Sequence, residues 1–394
     1  MHLSNAFQIF GIALALMTLP LVAELLALTV AALVPKMRTH HLKADSEPFS
    51  LMVLVPAHNE EALVGRCVRS IMNSSGSNSE VLVIAHNCSD ATAAVAKDAG
   101  ATVLELNDSA QQGKGCALNA GFSVALNGPA QAVLVVDADS IVDIGLLDAV
   151  RRRFLAGAQA LQCRYEVNNS AGSRRTKLMT LAFQAFNVIR PRGRHRLGLS
   201  AGILGNGFAL CRGVLSQIPY GAYSVVEDLE YHLTLVRAGI RVEFVDEATV
   251  RGEMPLSDSG ARTQRARWEG GRMRIMRRLA PQLMGDVLHG RLRMIEPLLD
   301  LLSAPIATGV LLLLIAACLP VAWLRLYVLG AFLVLMFHIT AAASCGSGFW
   351  GSMRVLASAP VYILWKVWTF PEIWRTSRSE SAWVRTRRDT VIDG

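Results

Sequence analysis

The pattern of hydrophobic positions divides the chain into apolar ends and a central part of short, alternating runs. Phe7 to Val34 is apolar, is long enough to span a bilayer, and is followed by the basic stretch PKMRTHHLK. Pro297 to about Ala343 is apolar again, with a break near LPVAWLR, and fits two helices in a hairpin. Val355 to Phe370 is less apolar because Pro360 and Lys366 fall inside it. We expect this last segment to lie in the interface or to re-enter the membrane.

The central part reads as alternating strands and helices. The runs SLMVLVP, EVLVIA, ATVLEL and AVLVVDAD are typical of buried strands, and the patterns EALVGRCVRSIMN and ATAAVAKDAG between them are typical of helices. Strand–helix–strand alternation favours a mostly parallel sheet with helices on both faces. The predicted fold class is therefore α/β, flanked by transmembrane and interfacial helices.

Composition supports a membrane protein. Hydrophobic residues make up 52% of the 394 residues, and the mean hydropathy is +0.36. The first apolar segment lacks the features of a cleaved signal peptide, so we interpret it as a retained transmembrane helix, and the basic stretch after it predicts a cytoplasmic central domain. We expect a multi-pass protein of the inner or plasma membrane.

These patterns predict five segments. They are an N-terminal transmembrane helix with a basic linker (1–48), a cytoplasmic α/β domain (49–261), an interfacial amphipathic helix (262–294), a transmembrane hairpin (295–345), and an interfacial or re-entrant helix with a basic cytoplasmic tail (346–394).

The net charge of +8 is concentrated in arginines at 262–278 and 375–388, beside apolar segments. This placement fits anionic lipid headgroups, and we expect membrane lipids as partners and no nucleic acid, because no nucleic-acid-binding motif accompanies the basic runs. The arginines assigned to the membrane surface are Arg262, Arg265, Arg272, Arg274, Arg277 and Arg278.

Glu24 interrupts the first apolar segment. An ionisable residue at membrane depth is a candidate functional residue. The alternative, which we favour, is a protonated side chain packed against a neighbouring helix.

The sharpest local signal is DAD at the end of an apolar run. Asp137 and Asp139 are two residues apart, so on a strand their carboxylates point the same way. Two such charges favour a divalent cation between them and a substrate phosphate, although a solvated strand end is the alternative.

Three further polar turns either follow predicted strands or begin predicted helices. VPAHNEE places Pro56, Ala57 and Glu60 at the carboxyl edge of the sheet, where ligands bind in open α/β sheets, although an ordinary turn would look the same. Asp90 could cap a helix or contact a base or ribose. Lys114, between glycines, could meet phosphate, although the P-loop spacing is missing.

Glu227 and Asp228 begin an amphipathic helix, YSVVEDLEYHLTLVRAGI. Acidic residues there stabilise the helix dipole, which is the structural alternative, and a carboxylate there could also act as a general base. The later stretch TQRARWEGGR could be a membrane-surface patch or part of an active site.

VPAHNEE, HNCSDAT, QGKGCALN, DAD, ED and QRARW occur in this order between apolar segments. This ordered set resembles the membrane-bound family-two glycosyltransferases, which include synthases of cellulose, hyaluronan, poly-N-acetylglucosamine and chitin oligosaccharides. The resemblance implies a GT-A fold over 49–261 that transfers a sugar from a nucleotide donor with inversion. It also implies a divalent cation, Mg²⁺ or Mn²⁺, on the donor diphosphate.

The resemblance further implies a role for each matching residue. Pro56, Ala57 and Glu60 would line the nucleotide pocket, Asp90 and Lys114 would contact base, ribose or diphosphate, and Asp137 and Asp139 would form the DxD pair, with Asp139 on the metal. Asp228, beside Glu227, would be the catalytic base, and Gln264, Arg267 and Trp268 would form QxxRW on the acceptor and diphosphate side, with Gly205–Leu210 as an acceptor-side loop.

Side-chain chemistry agrees with two of these roles, since Arg267 can bind phosphate oxygens bidentately and Trp268 offers a flat face to a sugar ring. Many members of the family that this chain resembles carry aspartate at the position of His86. The resemblance therefore defines the nucleotide of the donor less closely at this position, and the expected donor is a UDP sugar. The leading hypothesis for the acceptor is a growing polysaccharide, with export or assembly subunits as further partners. A single addition to a lipid-linked acceptor is the alternative, and an inactive membrane scaffold is a third reading.

Overall fold

The computed structural model describes residues 2–35, 49–74, 79–108, 113–169, 174–221, 224, 226–254, 258–303, 305–346, 348–360, 362–363 and 374–375. The strands are β1 (Leu51–Ala57), β2 (Ser79–His86), β3 (Thr102–Leu106), β4 (Ala132–Val135), β5 (Ile141–Val142), β6 (Ala160–Val167), β7 (Phe208–Cys211) and β8 (Val242–Gly252). The basic linker from residue 36 onward, half of the predicted segment Val355–Phe370 (361 and 364–370) and the basic tail lie outside the described residues.

Helices surround these strands and extend from them. They are α1 (His2–Leu33), α2 (Val64–Met72), α3 (Thr92–Asp98), α4 (Lys114–Asn127), α5 (Leu146–Leu155), α6 (Arg174–Gln184), α7 (Arg190–Arg196), α8 (Arg212–Gln217), α9 (Glu227–Arg237), α10 (Asp258–Leu288), α11 (Ile295–Leu302), α12 (Ile306–Ala317), α13 (Ala322–Ala343) and α14 (Phe349–Val355). A π-helical turn, Ala185–Ile189, joins α6 to α7, and short 3₁₀ turns occupy Leu292–Met294 and Leu356–Ser358.

The eight strands form one sheet in the order β3-β2-β1-β4-β7-β6-β8-β5. The four strands β3, β2, β1 and β4 are parallel, as are β6 and β8, whereas β7 runs antiparallel to both of its neighbours and β5 is antiparallel to β8. The predicted α/β class with a mostly parallel sheet is confirmed. The antiparallel strand β7 separates the two parallel groups.

The sheet is buried on both faces because successive side chains of its central strands alternate between two cores. Val53 and Val55 pack with α2, α3 and α5, whereas Met52 and Leu54 pack with α4, α8 and α9. This double cover explains why the strand sequences are continuous apolar runs.

Two described helices are long and apolar enough to cross a membrane, over Asn5–Leu33 and Ala322–Ala343. Leu292–Leu302 and Ile306–Ala317 together pass the same test but are bent by 74° between them. The apolar region predicted as a two-helix hairpin therefore contains α11, α12 and α13. Leu25, Leu313 and Leu324 are buried where α1, α12 and α13 pack together.

The helix α1 is closely joined to the α/β part of the chain through α7. A Cβ atom added to Gly193 would lie 2.2 Å from the backbone oxygen of Leu28. Beside this contact, Glu24 accepts hydrogen bonds from Arg190 and from Arg194, the latter at 2.9 Å. The expected packing of Glu24 against a neighbouring helix is thus found, and two buried guanidinium groups of that helix contact its carboxyl.

The helix α10 is continuous from Asp258 to Leu288, so residue 262, predicted as a segment boundary, lies within it. Ile275 and Leu283 on this helix are buried against α9 and α11. Arg272 pairs with Asp300, at 3.5 Å, and Arg278 with Glu230. Arg272 lines the cavity and pairs with a buried carboxylate, so assigning it to the membrane surface is wrong, whereas Arg278 is half exposed and its assignment stays a prediction.

Candidate active site

The carboxyl ends of β1, β2 and β4 open into one cavity of about 1680 Å³. Eleven of the twelve predicted site residues line this cavity. They are Pro56, Ala57, Glu60, Lys114, Asp137, Asp139, Glu227, Asp228, Gln264, Arg267 and Trp268. The structure therefore brings together side chains that lie more than two hundred positions apart along the chain, whereas Asp90 stands apart from the wall.

The loops after β1 and β2 are held together by side chains that bond to the opposite backbone. Asn59 adopts a left-handed conformation, with φ of 55°, and its Oδ1 accepts a hydrogen bond from the Ser89 amide at 2.7 Å. The Glu60 amide donates to Thr92 Oγ1 at 2.7 Å. Asp90 Oδ1 accepts from the Thr92 amide at 3.0 Å, at the start of α3. Asp90 Oδ2 also accepts from the Glu61 amide at 3.2 Å, so Asp90 joins the loop after β1 to the start of α3.

His86, the position that departs from the resemblance, is buried at the end of β2 and lines the cavity. Its Nε2 lies 3.2 Å from Asn87 Nδ2, and its backbone oxygen lies 2.8 Å from His58 Nδ1. Asn87 also has left-handed backbone, with φ of 52°. Imidazole and amide groups thus form the part of the wall nearest to β2.

Lys114 begins α4 immediately after Gly113, whose φ of 106° suits glycine. Its ammonium contacts the Asp137 carboxylate and donates to the backbone oxygen of Gly205 at 2.6 Å. Burial opposes the charged form, but the carboxylates of Asp137 and Glu227 hold the pKa of Lys114 above its ordinary value. A fixed cation therefore faces the DAD segment.

The DAD segment begins two residues after β4 and is held in place by the buried side-chain amide of Asn206. The Asp137 amide donates to Asn206 Oδ1 at 3.1 Å, and Asn206 Nδ2 donates to Ser140 Oγ at 2.8 Å. Ser140 Oγ in turn donates to Asp139 Oδ1 at 3.2 Å. This chain of hydrogen bonds orients the segment that carries both aspartates towards the cavity.

Glu227 and Asp228 form the first turn of α9 and line the cavity. The Leu229 amide donates to Asp228 Oδ1 at 2.8 Å. Burial and the neighbouring Asp228 carboxylate raise the pKa of Glu227 to about 7, and burial likewise raises the pKa of Asp228. Raised carboxyl pKa values are typical of general acids and bases.

Gly205 allows the loop before β7 to approach this acidic pair. Its φ is 77°, and a Cβ atom there would lie 3.1 Å from Asp228 Oδ2. A side chain at this position would therefore combine backbone strain with a crowded carboxylate.

The first half of α10 supplies the remaining wall of the cavity. Burial lowers the pKa of Arg267, and Glu227 opposes that shift. The Trp268 side chain is 38% exposed, and its ring centroid lies 6.4 Å from that of Phe183. Arg267 and Trp268 thus place a cation and an aromatic face beside the acidic pair.

The donor atoms at the DAD segment fit a hard divalent cation. Asp137 and Asp139 offer carboxylate oxygens, which Mg²⁺ and Mn²⁺ prefer. Among the described residues, no group of three or more His, Cys, Asp or Glu side chains forms a complete site. A cation held here would therefore share its coordination with oxygens of a substrate, as Mg²⁺ commonly does with phosphates.

Sequence patterns do not identify Asn206 and Gln162 as the residues that hold the DAD segment in place. Asn206 is fully buried, and its backbone oxygen accepts from Gln162 Nε2 at 2.8 Å. Gln162 Oε1 also accepts from the Leu204 amide at 2.8 Å. Asn206 lies in GNGFAL, which was recognised as a segment, whereas an isolated glutamine inside β6 carries no sequence signal.

Residues 48–271 match the model of a family described as "Glycosyltransferase like family 2". A curated relative, "Probable glycosyltransferase YdaM" of Bacillus subtilis (strain 168), is 24% identical over 247 residues, which are 58% of this chain and 57% of that protein. The chain thus spans a little over half the length of that relative.

Among solved structures, the mannosyltransferase PcManGT from Pyrobaculum calidifontis, in complex with GDP-Man and Mn²⁺, is similar over 94% of this chain and 97% of that one, at 17% identity and a TM-score of 0.54. Glucosyl-3-phosphoglycerate synthase from Mycobacterium tuberculosis covers 59% of this chain and 84% of its own, at 22% identity and a TM-score of 0.40. The first likeness supports the fold, and the family match covers more than half of the sequence. This chain belongs to the glycosyltransferase-like family 2, and its α/β part is the glycosyltransferase domain.

Proposed function

We propose that this protein transfers a sugar, with inversion, from a nucleotide sugar to an acceptor hydroxyl at a membrane surface. The observation that carries the proposal is the single cavity in which the DAD segment faces the acidic pair of α9. In the proposed step, Asp228 takes the hydroxyl proton and the acceptor oxygen bonds to the sugar C1. The bond from C1 to the diphosphate oxygen breaks, and the nucleoside diphosphate leaves.

We assign the donor diphosphate to the edge formed by β1, β2 and β4. Mg²⁺ or Mn²⁺, held by Asp139 and the diphosphate, would neutralise charge on the departing group. The solved mannosyltransferase that shares this fold contains Mn²⁺ with GDP-Man, which agrees with the assignment. Pro56, Ala57 and Glu60 would then border the nucleoside. The position of Asp90, at the start of α3, leaves it an indirect role in holding that loop.

Cationic side chains supply the rest of the help for the leaving group. Lys114 already contacts a carboxylate of the DAD segment, so the incoming diphosphate would share its ammonium with Asp137. Arg267 can bind phosphate oxygens from the opposite wall, because guanidinium groups bind them bidentately. Gln264 lies one helical turn before Arg267 on α10 and lines the same wall.

The base must be a carboxylate close to the acceptor. Asp228 suits this role because its Oδ1 is fixed by the Leu229 amide and its Oδ2 faces Gly205. Glu227 shares the burial and repels the charge of Asp228, which raises the basicity of the pair. An inactive scaffold gives no reason to keep these two carboxylates together in a cavity.

We further propose a cytoplasmic catalytic domain with α1 and α13 as membrane spans, and a UDP sugar as donor. A growing polysaccharide is one candidate acceptor, and Trp268 supports it with a partly exposed face for a sugar ring. Export or assembly subunits would belong to that version.

Turnover by purified protein in detergent tests the proposal. We expect release of UDP or GDP from at least one member of a panel of UDP and GDP sugars, dependent on Mn²⁺ or Mg²⁺ and on added membrane lipids. Absence of release from every donor, with both metals and lipid present, would support the inactive scaffold instead.

A further inference from the structure

The cavity does not end at the acidic pair but continues between the apolar helices. Its far part, here called the apolar arm, is lined by Leu21 of α1, Ala185 of the π-helical turn, Ile306 and Val310 of α12, and Ile339 of α13. Two of these helices are long and apolar enough to span a membrane, and α12 belongs to the bent pair. One cavity therefore borders both the catalytic residues and the apolar helices.

The π-helical turn Ala185–Ile189 widens the chain where the arm meets the catalytic part. Such turns are rare and are frequently found at functional sites. Ala185 and Phe186 of this turn line the cavity, and Phe186 keeps 42% of its surface exposed. The Arg190 guanidinium lies over the Phe186 ring, 4.8 Å from its centroid, so this ring joins the apolar wall to the charged junction.

Charged side chains occur at the junction between the arm and the acidic pair, and they neutralise one another. Arg190 contacts Asp300 at 2.6 Å, Arg194 contacts Asp300 at 2.7 Å, and Arg272 contacts it at 3.5 Å. Glu24 and Glu296 complete the cluster, so three arginines face three carboxylates. Of these residues, Arg190, Arg194, Arg272 and Asp300 line the cavity, whereas Glu24 and Glu296 do not. A ligand that crosses this junction therefore meets guanidinium groups that are already paired with carboxylates.

We infer that the acceptor is a lipid whose hydrocarbon chain lies in the apolar arm and whose polar head presents a hydroxyl to Asp228. This inference rests on the proposed function and names its acceptor class. An apolar wall stabilises a hydrocarbon chain by removing it from water, by about fourfold in affinity for each buried methylene. A sugar polymer in the arm would instead lose its hydrogen bonds to water without replacement.

The charged side chains of the cavity also indicate whether the head group of the lipid ends in a phosphate or in a neutral hydroxyl. A phosphate acceptor is already anionic and needs no base, and at the junction it would compete with Asp300 for the arginines. A neutral hydroxyl needs a carboxylate to accept its proton, and Asp228 provides one. The reacting bonds are those of the proposed transfer: the lipid oxygen bonds to C1, its proton goes to Asp228, and the diphosphate departs.

Two matched variants of α12 test the inference. Ala307 lines the arm, whereas Ala317, at the end of the same helix, is exposed outside the cavity. Full-length protein in detergent is given radiolabelled UDP and GDP sugars with a total membrane lipid extract. Labelled lipid is measured in the organic phase, and donor hydrolysis is measured as free labelled sugar.

We expect a labelled lipid product from the unchanged protein. We expect Ala307→Trp to lower the ratio of lipid product to hydrolysis by about tenfold or more, because the indole fills the arm, and Ala317→Trp to leave it unchanged. Treatment of the product with mild acid, which releases sugars from phosphate but leaves glycosides to neutral hydroxyls intact, should not release the label.

Hydrolysis without a labelled lipid, a soluble polymer as the main product, or an equal ratio in both tryptophan variants would overturn the lipid acceptor while leaving nucleotide-sugar chemistry in place. An acid-labile lipid product would overturn the hydroxyl head and indicate a phosphate. No release of nucleotide from any donor would instead remove the proposed function, and the acceptor with it.

Discussion

Replacing Glu24 by glutamine removes one charge from the buried cluster that joins α1 to α7. The side chain is 7% exposed, contacts Arg194 at 2.9 Å and accepts from Ser303 Oγ at 3.0 Å, in addition to its bond from Arg190. Glutamine keeps the volume but not the charge, so it isolates the electrostatic contribution. Breaking a buried ion pair by removing one partner destabilises a protein by about 3–5 kcal/mol.

The lower end of that range applies to Glu24→Gln. Asp300 stays in contact with Arg190 and Arg194, at 2.6 and 2.7 Å, so neither guanidinium is left without a counter-charge. We therefore expect a loss of about 3 kcal/mol. An unfolding entropy of about 2.1 cal/mol/K per residue over 394 residues converts this to a fall of about 4 °C in Tm.

Thermal unfolding in detergent, followed by intrinsic tryptophan fluorescence, measures the shift. Glu80→Gln is the matched control, because Glu80 is an exposed carboxylate of β2 and its change should stay within about 0.5 kcal/mol. An unchanged Tm in Glu24→Gln would refute the stabilising ion pair. A fall of similar size in both variants would show that the loss is unrelated to the cluster.

Asp139→Ala should weaken UDP or GDP binding at least tenfold in the presence of Mn²⁺ by calorimetry, and equal weakening under chelator would remove the metal role. Gly193→Ala should lower stability by about 1–3 kcal/mol, because the new Cβ would lie 2.2 Å from the oxygen of Leu28. Its control, Gly330→Ala, meets nothing within 4 Å, and equal Tm values for the two would contradict the close approach. Because burial raises the pKa of Glu227 from 4.5 to about 7, the wild type is more stable below pH 4.5 and loses stability as pH rises through 7. Glu227→Gln should therefore raise stability at pH 8 by about 1–2 kcal/mol, after allowance for water in the cavity, but not at pH 4, and a gain that is independent of pH would exclude this cause.

The local sequence predicted those parts of the fold and site that depend on short-range order. Asp137 and Asp139 lie just beyond a buried strand because an apolar run ends there, and their spacing is visible in three letters. Glu227 and Asp228 begin α9 because acidic residues suit the first turn of a helix. The strands β1 to β4 could be predicted for the same reason, since each is a continuous apolar run.

Long-range pairing could not be predicted from single positions. Glu24 meets Arg190 across 166 positions, so its partner has no local signature. Arg272 pairs with Asp300, 28 positions away, so the local run of arginines predicted a membrane-surface role that the structure does not give this residue. The antiparallel strand β7, of four residues, is likewise too short to carry a pairing signal of its own.

The base assignment is the centre of the proposed mechanism, and one variant tests it most directly. Asp228→Asn keeps the shape of the side chain and the start of α9 but removes the group that accepts the proton. Transfer and nucleotide affinity are measured on the same purified sample, with the donor that the wild type uses. We predict that kcat falls by about 10²–10⁴, while the Kd for the nucleoside diphosphate stays within about twofold. An Asp228→Asn protein that keeps most of its transfer activity would contradict the account.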